Sequence, residues 1–280
     1  MTLKVALPNK GSLAEPSISL FRSAGYRQRS YAKDLIFLDP ENDVEFYYLR
    51  PRDIATYVGS GELDMGITGR DLLIDSGASA AELLDLEFGR STMRFAAPEA
   101  SGISDLQEIN GKRVATSYPH LVASFIKKSG IEASIIELDG AIESSVRLGV
   151  ADLIADVVAT GSTLRQAGLV AFGEPLSVST AILIARGKEE RFDLLVRRLQ
   201  GVVFARQYVL IDYDVSQENL PAACGVTPGF ESPTISPLQK EGWFAVRAMV
   251  PRREMHQIMD RLYGLGARGV LITEIHSCRL

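Results

Sequence analysis

Residues 143–164, ESSVRLGVADLIADVVATGSTL, decide the predicted fold. They predict a helix, a buried strand, a polar loop and a second helix, in that order. Gly149 ends the first helix, a common place for glycine. The continuous apolar run Leu153-Ile154-Ala155 is typical of a strand that is buried on both faces, and Asp156 ends it. A new helix begins at Leu164. The stretch therefore indicates an α/β fold with a polar loop at a strand end.

The polar loop has the residue types that bind phosphate. Backbone N–H groups at a helix start point outward and attract anions, and hydroxyl side chains add donors. Asp156, just before the loop, is placed to hold sugar hydroxyls or, through water, a metal ion. The alternative is that one hydroxyl only caps the helix. The predicted loop consists of Ala159, Thr160, Gly161, Ser162 and Thr163.

Composition limits the classes of function. A chain of 280 residues is too long for one small core, so two or three domains are expected. The net charge of -5 argues against a nucleic-acid partner. Residues 3–7 are too short an apolar run for a signal peptide, and no stretch approaches the roughly 20 apolar residues that span a bilayer. We therefore expect a cytoplasmic protein with no membrane partner.

Cysteine and histidine usage indicates no structural metal or disulfide framework. Cys224 and Cys278 form no CxxC motif, so both are expected to be reduced packing residues. The 3 histidines show no metal-ligand spacing.

A repeat predicts two lobes of similar plan. Gly61–Gly69 and Gly149–Ala155 both contain Gly-x-x-Asp and then a short buried strand that leads into a polar loop and a helix. Arg70 and Asp71 follow the first strand as Asp156 and the loop follow the second. Each lobe would then offer a strand-end loop to a shared cleft, although Gly-x-x-Asp is also a common helix stop and turn.

Other strand ends carry further candidates. Lys10 follows the first strand, where open α/β sheets bind ligands, unless it is only a solvated lysine in a turn. Arg50 and Arg52 suit a polyphosphate, but one of them is alternatively paired with Asp53, and we expect at least one to be structural. Tyr118 either stacks on a base or packs in the core.

The rest of the chain gives the remaining elements. Ser177–Ala185 is predicted as one strand that returns to the first lobe. Lys188–Arg206 is predicted as a long helix, with an apolar stripe that is core or subunit interface. From residue 208 the pattern predicts a βαββαβ order, which is a ferredoxin-like unit.

A longer pattern resembles a known family. Its members are Glu143, Gly149, Ala151, Ile154, Asp156, Thr160, Gly161, Thr163 and Leu164. They resemble the signature of ATP phosphoribosyltransferase, the first enzyme of histidine biosynthesis. Residues 7–11, 49–53, 66–71, 115–119 and 228–234 also resemble segments of that family, and the tail resembles its long form, which needs no separate regulatory subunit.

The resemblance implies a fold and a reaction. The fold is α/β: a bilobed, periplasmic-binding-protein-like catalytic core with a C-terminal ferredoxin-like regulatory domain. We place lobe I at residues 1–90 and 178–205, lobe II at 91–177 and the regulatory domain at 206–280. The implied substrates are ATP and phosphoribosyl pyrophosphate with Mg²⁺, the implied inhibitor is L-histidine, and the implied assembly is a homo-oligomer that exchanges between dimer and hexamer.

The resemblance also implies roles. Residues 159–163 would hold the 5-phosphate and Asp156 the ribose, with Glu143 a weaker candidate for ribose or metal. Lys10, Arg50 and Arg70 would neutralise the phosphates of pyrophosphate or ATP, with Arg70 assigned to ATP. Asp71 and Tyr118 would help to place ATP. The implied histidine site comprises Asp214, Phe230, Thr234, Gly269 and Leu271. Some long-form relatives carry leucine and alanine in place of Phe230 and Gly269, so we expect the shape of this pocket to differ from theirs.

Two other functions fit the residues. A solute-binding protein or regulator domain would share the bilobed plan, but we expect neither a signal peptide nor a helix-turn-helix segment from this sequence. A nucleobase-salvage phosphoribosyltransferase would usually carry two adjacent acids before the Thr-Gly loop, where Asp156 stands alone.

Overall fold

A computed structural model describes residues 2–158, 161–187 and 189–279. The chain divides into two compact units. The first comprises Met1–Ser19 and Tyr26–Glu190, and the second comprises Leu20–Gly25 and Arg191–Leu280. No helix of the described residues is long and apolar enough to cross a membrane.

The first unit begins with a six-stranded mixed sheet. The early elements of the chain are β1 (Leu3–Pro8), α1 (Ala14–Ser23), β2 (Ile36–Asp39), β3 (Val44–Leu49), α2 (Pro51–Ser60), β4 (Met65–Gly69), α3 (Arg70–Ser76) and β5 (Ala81–Asp85). The residues of α1 from Leu20 onward are counted with the second unit. Strands β2 and β3 form an antiparallel pair. Strands β3, β1 and β4 run parallel, so their carboxyl ends share one edge. This edge is where the predicted cations lie.

A second, five-stranded sheet follows. Its elements are β6 (Ser91–Pro98), β7 (Arg113–Thr116), α4 (Pro119–Lys128), β8 (Ser134–Glu137), α5 (Glu143–Arg147), β9 (Leu153–Val158), α6 (Ser162–Gln166) and β10 (Leu169–Ser179). The strand order is β10-β6-β9-β7-β8, with β9, β7 and β8 parallel. Asp156 was expected to end its strand, which is wrong: β9 continues to Val158 because Thr92 of β6 pairs with it.

The chain then returns to the first sheet as β11 (Ala181–Ala185), which completes the order β2-β3-β1-β4-β11-β5. The prediction of one strand over Ser177–Ala185 is wrong, because Thr180 separates β10 from β11 and the two belong to different sheets. Its hydroxyl donates to Asp85 at the end of β5. The two lobes are therefore joined by two crossings, β5 to β6 and β10 to β11, and the bilobed α/β prediction is confirmed.

The second unit contains α7 (Asp193–Gln207), β12 (Tyr208–Ser216), α8 (Leu220–Val226), β13 (Thr234–Pro237), β14 (Trp243–Pro251), α9 (Met255–Gly264) and β15 (Arg268–Glu274). The sheet order β13-β14-β12-β15 is antiparallel throughout. This confirms the βαββαβ, ferredoxin-like prediction. Alternate residues of β12 pack in a core with α8 and α9, and the intervening residues face away from these helices.

Helix α7 begins later than predicted. A short 3₁₀ turn at Glu190–Phe192 precedes it, and Lys188 lies outside the described residues. Helix α7 lies in the compact unit that holds the C-terminal sheet. The domain boundaries given above, including residues 178–205 in lobe I, stay a prediction.

Candidate active site

Two exposed cations lie at the carboxyl edge of the first sheet. The backbone N–H of Asn9 donates to the carbonyl of Leu49 at 2.8 Å, so the segments after β1 and β3 leave the sheet side by side. Lys10 and Arg50 are exposed on these segments. Within the described part of the chain neither forms an ion pair, so both charges are available to an anionic ligand.

Arg70, which follows β4, is differently placed. Its guanidinium donates to Glu82 at 2.7 and 2.8 Å and to Asp85 at 2.8 Å. The hydrogen bonds to these two carboxylates raise the pKa of Arg70. Its charge is therefore balanced inside lobe I, and its assignment to ATP stays a prediction that this geometry does not favour.

Asp71 is buried beside Arg70, at 6% exposure. Its backbone N–H donates to the hydroxyl of Ser179 at the end of β10, at 3.0 Å. One carboxyl oxygen accepts the N–H of Leu72 at 2.8 Å. Ser179, at the end of β10 in the lobe II sheet, thus helps to fix the position of Asp71 in lobe I.

Tyr118 stands at the boundary of β7 and α4, where its ring packs against the core of lobe II. The guanidinium of Arg52 lies 5.2 Å from the ring centroid. Burial raises the pKa of Tyr118, and the negative charges of Asp71 and Asp156 raise it further. The acid predicted to place ATP in lobe I and the acid predicted to hold the ribose in lobe II therefore both act electrostatically on Tyr118.

Asp156 lies on β9 with Glu143 of α5 nearby. Burial raises the pKa of the Asp156 carboxyl; the Val157 N–H, which donates to it at 2.7 Å, opposes this change, and the charge of Glu143 adds to it. Two carboxylates with mutual repulsion favour a ligand that supplies hydroxyl donors or a cation between them. This arrangement suits both of the roles predicted for the pair.

Arg94 was missed in the sequence. It is the register partner of Asp156 on β6, so the two side chains leave the same face of the sheet. Its Nη2 donates to the carbonyl of Gly173 at 3.2 Å, while its buried Nε finds no acceptor among the described residues. Only the pairing of β6 with β9, which the sequence did not reveal, would have pointed to it.

The predicted phosphate loop is described only in part. Ala159 and Thr160 lie outside the described residues, as does the side chain of Ser162. Gly161 precedes α6 with φ 68°, a left-handed conformation that glycine adopts freely. Thr163 is exposed in the first turn of α6. The assignment of this loop to phosphate stays a prediction.

Arg52 is the structural arginine of its pair. The alternative that one arginine bonds Asp53 is wrong, because Nη1 of Arg52 lies 3.1 Å from Oδ2 of Asp75 instead. Asp75 is 23 positions away and gave no local signal in the sequence.

The predicted histidine-site residues lie on the C-terminal sheet or beside it. Gly269, at φ 59°, is close enough to Asp214 that a Cβ built on it would lie 3.8 Å from Oδ2 of Asp214. Phe230 is exposed in the loop before β13, with its ring edge-on to Phe204 at 5.7 Å.

Thr234 and Leu271 lie in one row across the same sheet. Thr234 pairs with Arg247, Arg247 with Asp212, and Asp212 with Leu271. Arg247 donates to Asp212 at 2.7 Å in the middle of the row. Since Asp214 is two residues beyond Asp212, it shares this face, which points away from α8 and α9. Four of the five predicted residues are thus brought to one side of the unit.

The fold and these side chains together define a class. A bilobed α/β core that collects acids and cations at strand ends, followed by a ferredoxin-like unit, is the arrangement of a pentosyltransferase of the type predicted above. The ATP phosphoribosyltransferase family model matches residues 50–201, and the model of the HisG C-terminal domain matches residues 205–277. The chain belongs to the ATP phosphoribosyltransferase family.

Individual relatives agree over the full length. The chain is 58% identical to the ATP phosphoribosyltransferase of Nocardia farcinica over 281 residues, covering 99% of each. It is 56% identical to that of Salinispora tropica over 282 residues, covering 99% of this chain and 100% of the relative. A solved structure, the ATP phosphoribosyl transferase (HisG:HisZ) complex from Thermotoga maritima, aligns with a TM-score of 0.62 at 27% identity, covering 72% of this chain and 99% of that one. The solute-binding and nucleobase-salvage alternatives are therefore not supported.

Proposed function

We propose that this chain transfers the phosphoribosyl group of phosphoribosyl pyrophosphate to N1 of ATP and releases pyrophosphate, as the first step of histidine biosynthesis. The supporting observation is the full-length similarity to ATP phosphoribosyltransferases. In addition, the charges of Asp71 in lobe I and Asp156 in lobe II both act on Tyr118. A reaction that joins a base to a ribose needs its base-binding and ribose-binding groups in one place. The cytoplasmic location expected from the sequence belongs to this proposal.

The chemistry needs positioning and charge neutralisation more than proton transfer. Adenine N1 attacks the anomeric carbon while the pyrophosphate leaves, so negative charge develops on the leaving oxygens. Lys10 and Arg50 are exposed and unpaired within the described residues, so they are our candidates for neutralising it. Asp156 of β9 would bind the hydroxyls of the ribose, and residues 159–163 would hold the 5-phosphate.

Mg²⁺ enters this scheme with the pyrophosphate of the substrate. The described residues contain no group of three or more His, Cys, Asp or Glu side chains able to hold a metal ion. Asp156 and Glu143 supply carboxylate oxygens, which Mg²⁺ prefers, and Mg²⁺ commonly binds through one or two carboxylates plus substrate phosphates. These two acids fit such a site, in which the ion supplies charge neutralisation to the leaving group.

The tail would bind L-histidine. Asp214 would accept the amino group, and Gly269 would leave room for the ligand beside it, on the sheet face that also carries Thr234 and Leu271. The dimer and hexamer expected from the sequence remain part of this proposal. Loss of histidine inhibition in Asp214→Ala, with full activity in its absence, would support the site, and unchanged inhibition would contradict it.

The reaction is tested by mixing the protein with Mg²⁺, ATP and phosphoribosyl pyrophosphate and following pyrophosphate release together with the change in adenine absorbance. The double variant Thr160→Ala/Thr163→Ala should raise the KM for phosphoribosyl pyrophosphate about tenfold or more, since hydrogen bonds to charged groups contribute roughly 1.5–3 kcal/mol each. Ser134→Ala, an exposed hydroxyl in the same lobe, is the control. A KM equal to that of the control would remove the loop assignment.

A further inference from the structure

Asp75, on α3 of lobe I, bonds to lobe II. Its side chain is 4% exposed. One carboxyl oxygen accepts the backbone N–H groups of His120 and Leu121, each at 3.0 Å, and the other accepts Nη1 of Arg52 at 3.1 Å. Both oxygens of this buried carboxyl group thus have hydrogen-bond donors, one of which is a guanidinium.

The two accepted N–H groups belong to the first turn of α4. This helix has no cap of its own: Tyr118 stands at the N-cap position without a side-chain cap bond, and Pro119, which follows, has no N–H. Asp75, which lies 45 positions before His120, therefore accepts the hydrogen bonds that an N-cap side chain would otherwise accept. Its negative charge also faces the positive end of the α4 dipole.

Arg52 extends the same contact to the other side of Tyr118. Its Nη2 donates to the carbonyl of Ser117, and its guanidinium lies over the Tyr118 ring. The lobe I pair of Asp75 and Arg52 thus bonds the chain before and after Tyr118. Apart from the two strand crossings, this pair ties the lobes together at the residue predicted to place the base.

We propose that Asp75 is a positioning residue for the ATP half of the reaction. It clamps the segment around Tyr118 to lobe I and thereby sets the separation of Tyr118 from Asp71, on which recognition of the base depends. This inference rests on the proposed function, since it assumes that these two residues place ATP. Asp75 itself contacts no substrate in this scheme and acts through α4.

The test uses full-length Asp75→Asn, Arg52→Gln and the double variant, with Asp152→Asn as the matched control. Asp152 also accepts a backbone N–H, that of Arg113 at 2.8 Å, and an arginine side chain, but both belong to lobe II. Three quantities are measured: the Kd of ATP without the second substrate, the KM of phosphoribosyl pyrophosphate, and hydrogen exchange of peptides that cover residues 117–125.

The expected result is a tenfold or greater increase in the ATP Kd for Asp75→Asn, a change of less than twofold in the KM of phosphoribosyl pyrophosphate, and faster exchange in residues 117–125. Arg52→Gln should also weaken ATP binding. The double variant should raise the ATP Kd by less than the product of the two single effects, because the two side chains share one ion pair and hold the same segment. Asp152→Asn should leave all three quantities within twofold of wild type.

Two results would overturn the inference. One is an unchanged ATP Kd in an Asp75→Asn protein whose melting temperature has fallen, which would make the contact purely structural. If Asp75→Asn fails to fold, Arg52→Gln answers the same question, because its side chain is 43% exposed. The other is unchanged exchange in residues 117–125. Failure of wild type to release pyrophosphate would instead refute the proposed function, while the exchange comparison still decides whether Asp75 holds α4.

Discussion

Gly66 in β4 sets how closely α2 packs on the first sheet, and its replacement by alanine should be costly. A Cβ at this position would lie 2.4 Å from Cγ2 of Ile54 and 3.3 Å from both the Cβ of Ala6 and Cγ2 of Val58. Carbon atoms in contact prefer a separation of about 3.5–4.0 Å, so the new methyl overlaps Ile54 by more than about 1 Å. All these neighbours are fully buried, so none can move into solvent.

Overpacking of this kind typically costs about 1–3 kcal/mol. We expect Gly66→Ala to lie near the upper end, and its thermal midpoint to fall by roughly 5–10 °C, since 1 kcal/mol corresponds to about 2–4 °C in a chain of this size. Because α2 carries Arg52, a displaced helix should also weaken ATP binding. Calorimetric unfolding and an ATP titration measure the two effects.

Two variants make the Gly66 experiment decisive. Gly225→Ala is the control, because a Cβ there meets nothing within 4 Å and Gly225 lies in α8, where alanine is favoured by about 0.5–1 kcal/mol. Ile54→Leu removes the Cγ2 methyl and should recover part of the loss when combined with Gly66→Ala. A Gly66→Ala protein as stable as wild type would refute the packing account of β4 and α2.

Two further predictions concern ionisable groups. Asp156→Asn should lower kcat/KM at least about tenfold, since it removes charge-assisted bonds to the ribose. The same variant should raise the thermal midpoint at pH 7. The reason is that the pKa of Asp156 is raised in the folded state, so its charged form opposes folding above the unfolded pKa. A midpoint lower than wild type would contradict this. Burial raises the pKa of Tyr213 to about 12, so its contribution to stability is full below about pH 10 and lost as the pH rises towards 12. In a spectroscopic titration, the Tyr213→Phe variant should show one ionising tyrosine fewer than wild type as the pH approaches 12. Equal titration curves there would contradict this prediction.

Most of the helices and strands could be predicted, because the pattern of apolar and polar residues within each segment indicates its structure. Strand β12 alternates buried and partly exposed residues along its length, and the βαββαβ order follows from such segments and the helix between them. Strand β10 was missed at its start, since Gly173 and Pro175 interrupt the apolar pattern of residues 169–179. The strand continues there through a bulge, where its register with β6 shifts between Phe172 and Ser177.

Residues of the candidate site could be predicted only where they directly follow a recognisable strand. Lys10, Arg50, Asp71 and Tyr118 each follow a recognisable strand, and the sheets bring them to the cleft side. The partners of these residues were not predictable, because they depend on how distant segments pack. The bonding of Asp75 to the start of α4 is one case, and the two carboxylates that bind Arg70 are another.

The single residue between β10 and β11 limits which changes of length this chain can accept. Ser179 holds the backbone of Asp71, and Thr180 holds Asp85. One inserted or deleted residue here would pull both hydroxyls from their partners and turn β11 over relative to β4. Length variation among natural or engineered versions should therefore accumulate in the exposed turns, such as the one between β2 and β3, and be absent from this joint.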